Sequence, residues 1–186
     1  MSTSELEFEG DGGLRAVPSV RDRFRARRVE IWIVAFIVVA DQISKALVRS
    51  ALALHESAGV IPGFLDLTHV RNTGAAFGFL NAADFPLKSA AITLVALGAL
   101  VAIALYAAQL PVEHRFSRLG VALILGGAVG NLIDRAAVGY VLDFVDVYWR
   151  DYHFWAFNVA DSAITVGAAV LILDMLIPRS HVSTPL

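Results

Sequence analysis

In the stretch FNVADSAI, Asn158 and Asp161 stand three residues apart, on one face of any helix that begins there, and Asp143 lies in the connection just ahead. Two carboxylates placed in this way can meet. A close, partly desolvated pair shares a proton: one member activates water and the other protonates a carbonyl oxygen or a leaving nitrogen. Such a pair cleaves peptides without a metal. Other hydrolytic chemistry fits less well. The five histidines are scattered and none falls in HExxH, so no zinc site is expected. Ser44 beside Lys45 and Ser162 beside Asp161 are neighbours on a helix and point in different directions, which argues against a serine mechanism. The chain has no cysteine, which excludes thiolate chemistry and disulfides.

Three further clusters accompany the carboxylates. In DQISK, Asp41 and Lys45 are four apart, where an ion pair lowers the cost of burial, either as structural glue or as part of a site. In VRNTGAAF, Arg71 and Asn72 precede Gly74, Ala75 and Ala76, small residues that let another backbone approach; the pattern suits an extended peptide and equally a turn entering a strand. In GGAVGNLIDR, Gly126 and Gly130 form a close-packing helix contact, followed by Asn131, Asp134 and Arg135. Asn131 and Arg135 share a face and can orient carboxylates or backbone carbonyls; Asp134 with Arg135 can equally be an anchoring pair at the membrane interface.

The elements that must position these groups lie in a membrane. The chain of 186 residues is 57% hydrophobic, against roughly 45–50% in soluble domains, and its mean hydropathy is +0.65. Four stretches, about 29–49, 87–108, 119–138 and 156–177, approach the ~20 apolar residues that a helical span needs. Net charge is −2, but arginines crowd at 21–28, and further Lys/Arg lie between the second and third spans and after the fourth. By the positive-inside rule both termini are expected in the cytoplasm, and the connections 50–86 and 139–155 on the outer face. The first connection carries Pro62-Gly63 and an alternating run at 64–70, read as a strand or hairpin; the second carries Tyr140, Tyr148, Trp149, Tyr152 and Trp155, read as interfacial aromatics. Residues 1–28 read as a disordered cytoplasmic tail, 29–178 as the membrane domain and 179–186 as a C-terminal tail. The expected fold is an all-α membrane protein with four transmembrane helices, a small extracytoplasmic β-rich cradle and a short helical or loop lid.

Five blocks in order, DQISK at 41–45, VRNTGAAF at 70–77, GNLIDR at 130–135, VLDFVD at 141–146 and FNVADSAI at 157–164, resemble lipoprotein signal peptidase, or signal peptidase II, a bacterial inner-membrane aspartic protease. The resemblance spans about 31–178. It implies cleavage of prolipoprotein signal peptides just before a diacylglyceryl-modified cysteine, at the outer face of the cytoplasmic membrane, by Asp143 and Asp161. It implies further that Asn72, Asn131, Arg135 and Asn158 position the substrate backbone or the dyad, that Asp41 and Lys45 support them, and that Asp134 and Asp146 are secondary. Gly74 joins the candidate substrate-binding residues. No cofactor, metal or nucleic acid is expected; the partners are lipid-modified prolipoproteins and membrane lipid, and one chain supplies both carboxylates, as in a monomer. The tail of about 28 residues is longer than the family pattern, and Leu142 stands where valine is common. A proton-coupled transporter is disfavoured because the polar groups cluster at the outer ends of the spans while the second span is almost bare; a non-enzymatic scaffold is distinguished by Asp143→Asn and Asp161→Asn.

Overall fold

Inside a bilayer every backbone N–H and C=O must be satisfied by the protein itself, so long apolar stretches become helices. The computed structural model describes residues 6–8, 14–16, 27–74 and 87–177. Within them four helices are long and apolar enough to cross a membrane: α1 (Arg28–Ala51), α2 (Lys88–Gln109), α3 (Arg115–Val138) and α4 (Val159–Leu176). Two boundaries differ from the expected spans. α3 begins at Arg115 rather than 119, because Arg118 is buried against Glu30 of α1 at 2.6 Å and its charge is paired. α4 begins at Val159 rather than 156, because Asn158 closes its first turn.

α1 is polar on the inside. Its buried residues, Asp41, Lys45 and Val48, form one stripe, whereas Trp32, Phe36, Ile43 and Leu47 are exposed where lipid would lie. α3 packs against each of the other three helices. Small residues allow this: a Cβ on Gly126 would stand 2.9 Å from Ile37 Cβ, one on Gly130 2.7 Å from Asp41 Oδ2, and one on Gly120 2.8 Å from the Gly167 carbonyl of α4. The Gly126-xxx-Gly130 contact read in the sequence therefore faces α1. α2 has no buried residue and makes its helix packing against α3.

Two short strands, β1 (Leu6–Phe8) and β2 (Leu14–Ala16), pair antiparallel within the stretch expected to be a disordered tail. The connections between spans build a second antiparallel sheet in the order β3 (Ser57–Ile61), β4 (Leu65–Asn72), β5 (Val141–Trp149) and β6 (Tyr152–His153). Pro62-Gly63 turns β3 into β4: Phe64 N–H donates to Ile61 O at 3.0 Å and Gly63 has φ 78°, the arrangement a type II turn requires. Val48, Leu142 and Phe144 form an apolar cluster that seats the sheet on the end of α1.

The connection 139–155, read in the sequence as interfacial aromatics, is mostly strand, forming β5 and β6. Val141, Val145 and Val147, with Phe144 and Tyr148, are β-branched and aromatic residues that favour a pleated, half-buried strand, and β4 offers them a partner with Asp66 opposite Asp146 and Val70 opposite Asp143. Residues 75–86, with Ala75, Ala76 and the remainder of the expected cradle, and the expected tail 179–186 lie outside the described residues.

Candidate active site

Asp143 is delivered to its place by the way α3 stops. Gly139 adopts φ 79°, the left-handed conformation that ends a helix, and its N–H returns to Arg135 O at 3.1 Å. Asp134, in the last turns of α3, then accepts the Leu142 N–H at 3.1 Å and pins the start of β5 above the helix end. The next residue is Asp143, only 3% exposed. Across the ladder, Asn72 Nδ2 donates to Asp143 Oδ2 at 3.0 Å, and Asn72 Oδ1 accepts the Gly74 N–H at 3.0 Å, which fixes the orientation of the amide.

Asp161 is held by the N-terminus of α4. Asn158 Oδ1 accepts the Asp161 N–H at 2.9 Å while Asp161 Oδ2 accepts the Asn158 N–H at 3.3 Å, a reciprocal capping box written in the sequence as Asn-x-x-Asp. The same Asn158 reaches the other carboxylate, its Nδ2 donating to Asp143 Oδ1 at 2.8 Å. One fully buried asparagine thus ties Asp143 to Asp161. Asn131 completes the hold on Asp161 by donating from Nδ2 to Oδ1 at 2.8 Å.

Behind these amides lies a dry ionic network. Lys45 Nζ, fully buried, contacts Asp41 Oδ2 at 2.8 Å, Asp134 Oδ2 at 3.1 Å and Asn131 Oδ1 at 3.0 Å, which uses all three of its donors. Asp41 Oδ1 accepts the Ala160 N–H at 3.0 Å, so α1 also supports the first turn of α4. Arg49 donates to Asp134 Oδ1 at 3.0 Å. Arg135 donates to Gly74 O at 3.1 Å and lies near enough to Asp143 and Asp161 for their charges to interact. Four carboxylates (Asp41, Asp134, Asp143, Asp161) therefore face three cations (Lys45, Arg49, Arg135), and a single added proton makes the cluster neutral. Burial, and then the nearby charge of Asp161, push the Asp143 carboxyl from 3.8 up to about 7, against the opposing pull of Asn72, Asn158 and Lys45.

The nine residues read in the sequence as catalytic or supporting, Asp41, Lys45, Asn72, Gly74, Asn131, Arg135, Asp143, Asn158 and Asp161, lie in this one connected set. Asp146 does not; it pairs with His153 on the sheet at 2.8 Å. Asp134 is more central than the sequence reading allows, and its partners are Lys45, Arg49 and the Leu142 N–H rather than Arg135. The signal is present in helical spacing: Asp41, Lys45 and Arg49 recur every four residues on α1, and Gly130, Asn131 and Asp134 fall on one face of α3.

A family model described as signal peptidase (SPase) II matches residues 33–177. The chain belongs to the signal peptidase II family. It is similar to the lipoprotein signal peptidase of Geobacter metallireducens, 46% identical over 144 residues that cover 77% of this chain and 88% of that one. It is also similar to the lipoprotein signal peptidase of Symbiobacterium thermophilum, 46% identical over 141 residues, or 75% of this chain and 89% of the relative. Two solved structures, each described as a bacterial membrane enzyme structure by the in meso method, share the fold. The one at 2.3 Å resolution aligns with a TM-score of 0.71 and 33% identity over 80% of this chain and 87% of its own. The one at 1.9 Å aligns with a TM-score of 0.72 and 30% identity over 80% and 92%. Membership of the signal peptidase II family makes the chain a protease, and its four apolar helices fit a multi-pass membrane protein.

Proposed function

We propose that this chain removes signal peptides from bacterial prolipoproteins, cutting just before a diacylglyceryl-modified cysteine, with Asp143 and Asp161 as a proton-sharing dyad. The observation that carries this reading is Asn158, which binds Asp143 through Nδ2 and Asp161 through the capping box and so holds a buried and a half-buried carboxylate at one spot. In the cleavage step the ionised member removes a proton from water as its oxygen attacks the scissile carbonyl carbon, and the protonated member donates to the carbonyl oxygen. Collapse of the tetrahedral intermediate returns the oxygen's electron pair to carbon and breaks the C–N bond. As it collapses, the intermediate's hydroxyl returns its proton to one carboxylate while the leaving nitrogen takes a proton from the other, so the dyad ends the cycle with its single shared proton.

The placement follows from charge. Arg27, Arg28, Arg115 and Arg118 gather at one end of the bundle, and the sheet with Asp143 at the other. The positive-inside rule assigns the arginine end to the cytoplasm, so the dyad faces outward from the cytoplasmic membrane, at the depth where a signal helix ends and its lipid-modified cysteine emerges. One chain supplies both carboxylates and every amide that holds them, in keeping with a monomer.

The test is cleavage of a diacylglyceryl-modified prolipoprotein by purified protein in detergent, with and without a metal chelator. Wild type is expected to cleave in both conditions, and Asp143→Asn and Asp161→Asn to lose at least about a hundredfold in rate with an unchanged helical signal. Near-normal cleavage by either folded variant overturns the dyad.

A further inference from the structure

At the end of the bundle away from the dyad, α1 and α2 both rest on α3, and a cavity of about 690 Å³ opens between them. Its walls are apolar and several are small: Ile31 and Val34 from α1, Ala104 and Ala107 from α2, Val121 and Leu125 from α3. Alanines where neighbouring helices would carry larger side chains leave the space. At its mouth the character changes. Arg27 donates to the carbonyls of Ala107 at 2.6 Å, Ala108 at 2.9 Å and Leu110 at 3.3 Å, and Arg118 pairs with Glu30 at 2.6 Å. That pair joins the first turn of α1 to the first turn of α3, so two positive helix ends stand side by side, and neither is closed by a side-chain cap. At the same end of the bundle α1 and α3 begin with exposed Arg28 and Arg115, so four arginines gather there against Glu30 and Glu113.

We propose that this cavity is a binding site for an anionic phospholipid, one acyl chain lying between α1 and α2 and the phosphate resting on the arginine rim. An apolar cleft at membrane depth forfeits dispersion contacts unless something fills it, and the molecule at hand is an acyl chain. The excess of cations and the two uncapped helix ends select the headgroup charge, since basic pockets between spans recognise anionic lipid. The lipid would link α2 to α1 without touching any residue of the catalytic network, so its effect is on bundle stability.

Native mass spectrometry of the full chain, released from micelles doped with equal phosphatidylglycerol and phosphatidylcholine, tests this. Wild type is expected to retain phosphatidylglycerol about tenfold over phosphatidylcholine. Ala104→Phe, on an exposed position of α2, fills the cavity and removes the retained lipid; Arg28→Gln with Arg115→Gln keeps an acyl chain but lowers the preference by roughly tenfold. Variants are compared where their helical signal matches wild type. Equal retention of the two lipids by wild type, or full phosphatidylglycerol retention by Ala104→Phe, overturns the proposal, the second result pointing to diffuse surface charge instead.

Discussion

Lys45 donates to Asn131 Oδ1 at 3.0 Å, and this bond determines which way round the Asn131 amide sits. With its oxygen turned to Lys45 and Asn158, its nitrogen must face Asp161, 2.8 Å away. A cation on α1 thereby orients a donor on α3 toward a carboxylate on α4.

Removing that cation leaves Asp41 and Asp134 buried without their shared partner. Lys45→Met, which keeps the length of the side chain, is expected to cost about 3–5 kcal/mol, read as a lowered melting temperature in detergent. A variant that melts like wild type would show the network to be dispensable for folding.

The Asp143 carboxyl holds its proton to about pH 7 in the folded protein, while an unperturbed aspartate releases it near 3.8. Between those values the folded state binds the extra proton, so the contribution of this group to stability declines as pH rises through the window. Asp143→Asn mimics the neutral acid. It is expected to melt like wild type near pH 4 and to be more stable than wild type at pH 8 by a few kcal/mol, each pH unit crossed within the window being worth about 1.4 kcal/mol. Equal melting at both values would contradict the raised carboxyl.

The same proton sets the rate. Peptide cleavage that needs one protonated member of the dyad is expected to fall as pH rises above about 7, where Asp143 loses its proton. The profile of kcat/KM between pH 5 and 9 measures this, and a flat alkaline limb would speak against proton sharing.

Gly130 has no room for a side chain, since a Cβ would meet Asp41 Oδ2 at 2.7 Å. Gly130→Ala is expected to push α3 from α1 and to destabilise by about 1–3 kcal/mol, with activity falling as Asp41 loses its hold on the Ala160 N–H. Gly98→Ala on α2, where nothing lies within 4 Å, is the control and should be silent or mildly stabilising.

The helical elements are legible in the sequence because hydrocarbon leaves few options: the largely apolar stretches at 90–108 and 163–173 admit little but a helix. The Asp41–Lys45 pair and the Asn158–Asp161 cap are also visible, as both depend on spacing within one helix. β5 is not. Its tyrosine and tryptophan suit a membrane interface as well as a strand, and only its pairing with β4, at a separation of some 70 residues such as Val70 to Asp143, decides between them. Asp134 escapes notice for a related reason: along the chain its obvious neighbour is Arg135, whereas the glycines of α3 bring Lys45 and Arg49 closer.

α2 supplies no side chain to the ionic network and buries none of its own. Its contacts with the machinery are made at its first turn, where Ser89 donates to Gly139 O at 3.1 Å and Lys88 to Thr73 Oγ1 at 3.3 Å, and through its packing on α3. Selection on this helix is therefore selection on length and oiliness. Away from Ala104 and Ala107, which line the cavity, leucine, valine, isoleucine and alanine can trade places along it, and a lineage moving to a thicker or thinner membrane can make its adjustment there, with the carboxylates left as they were.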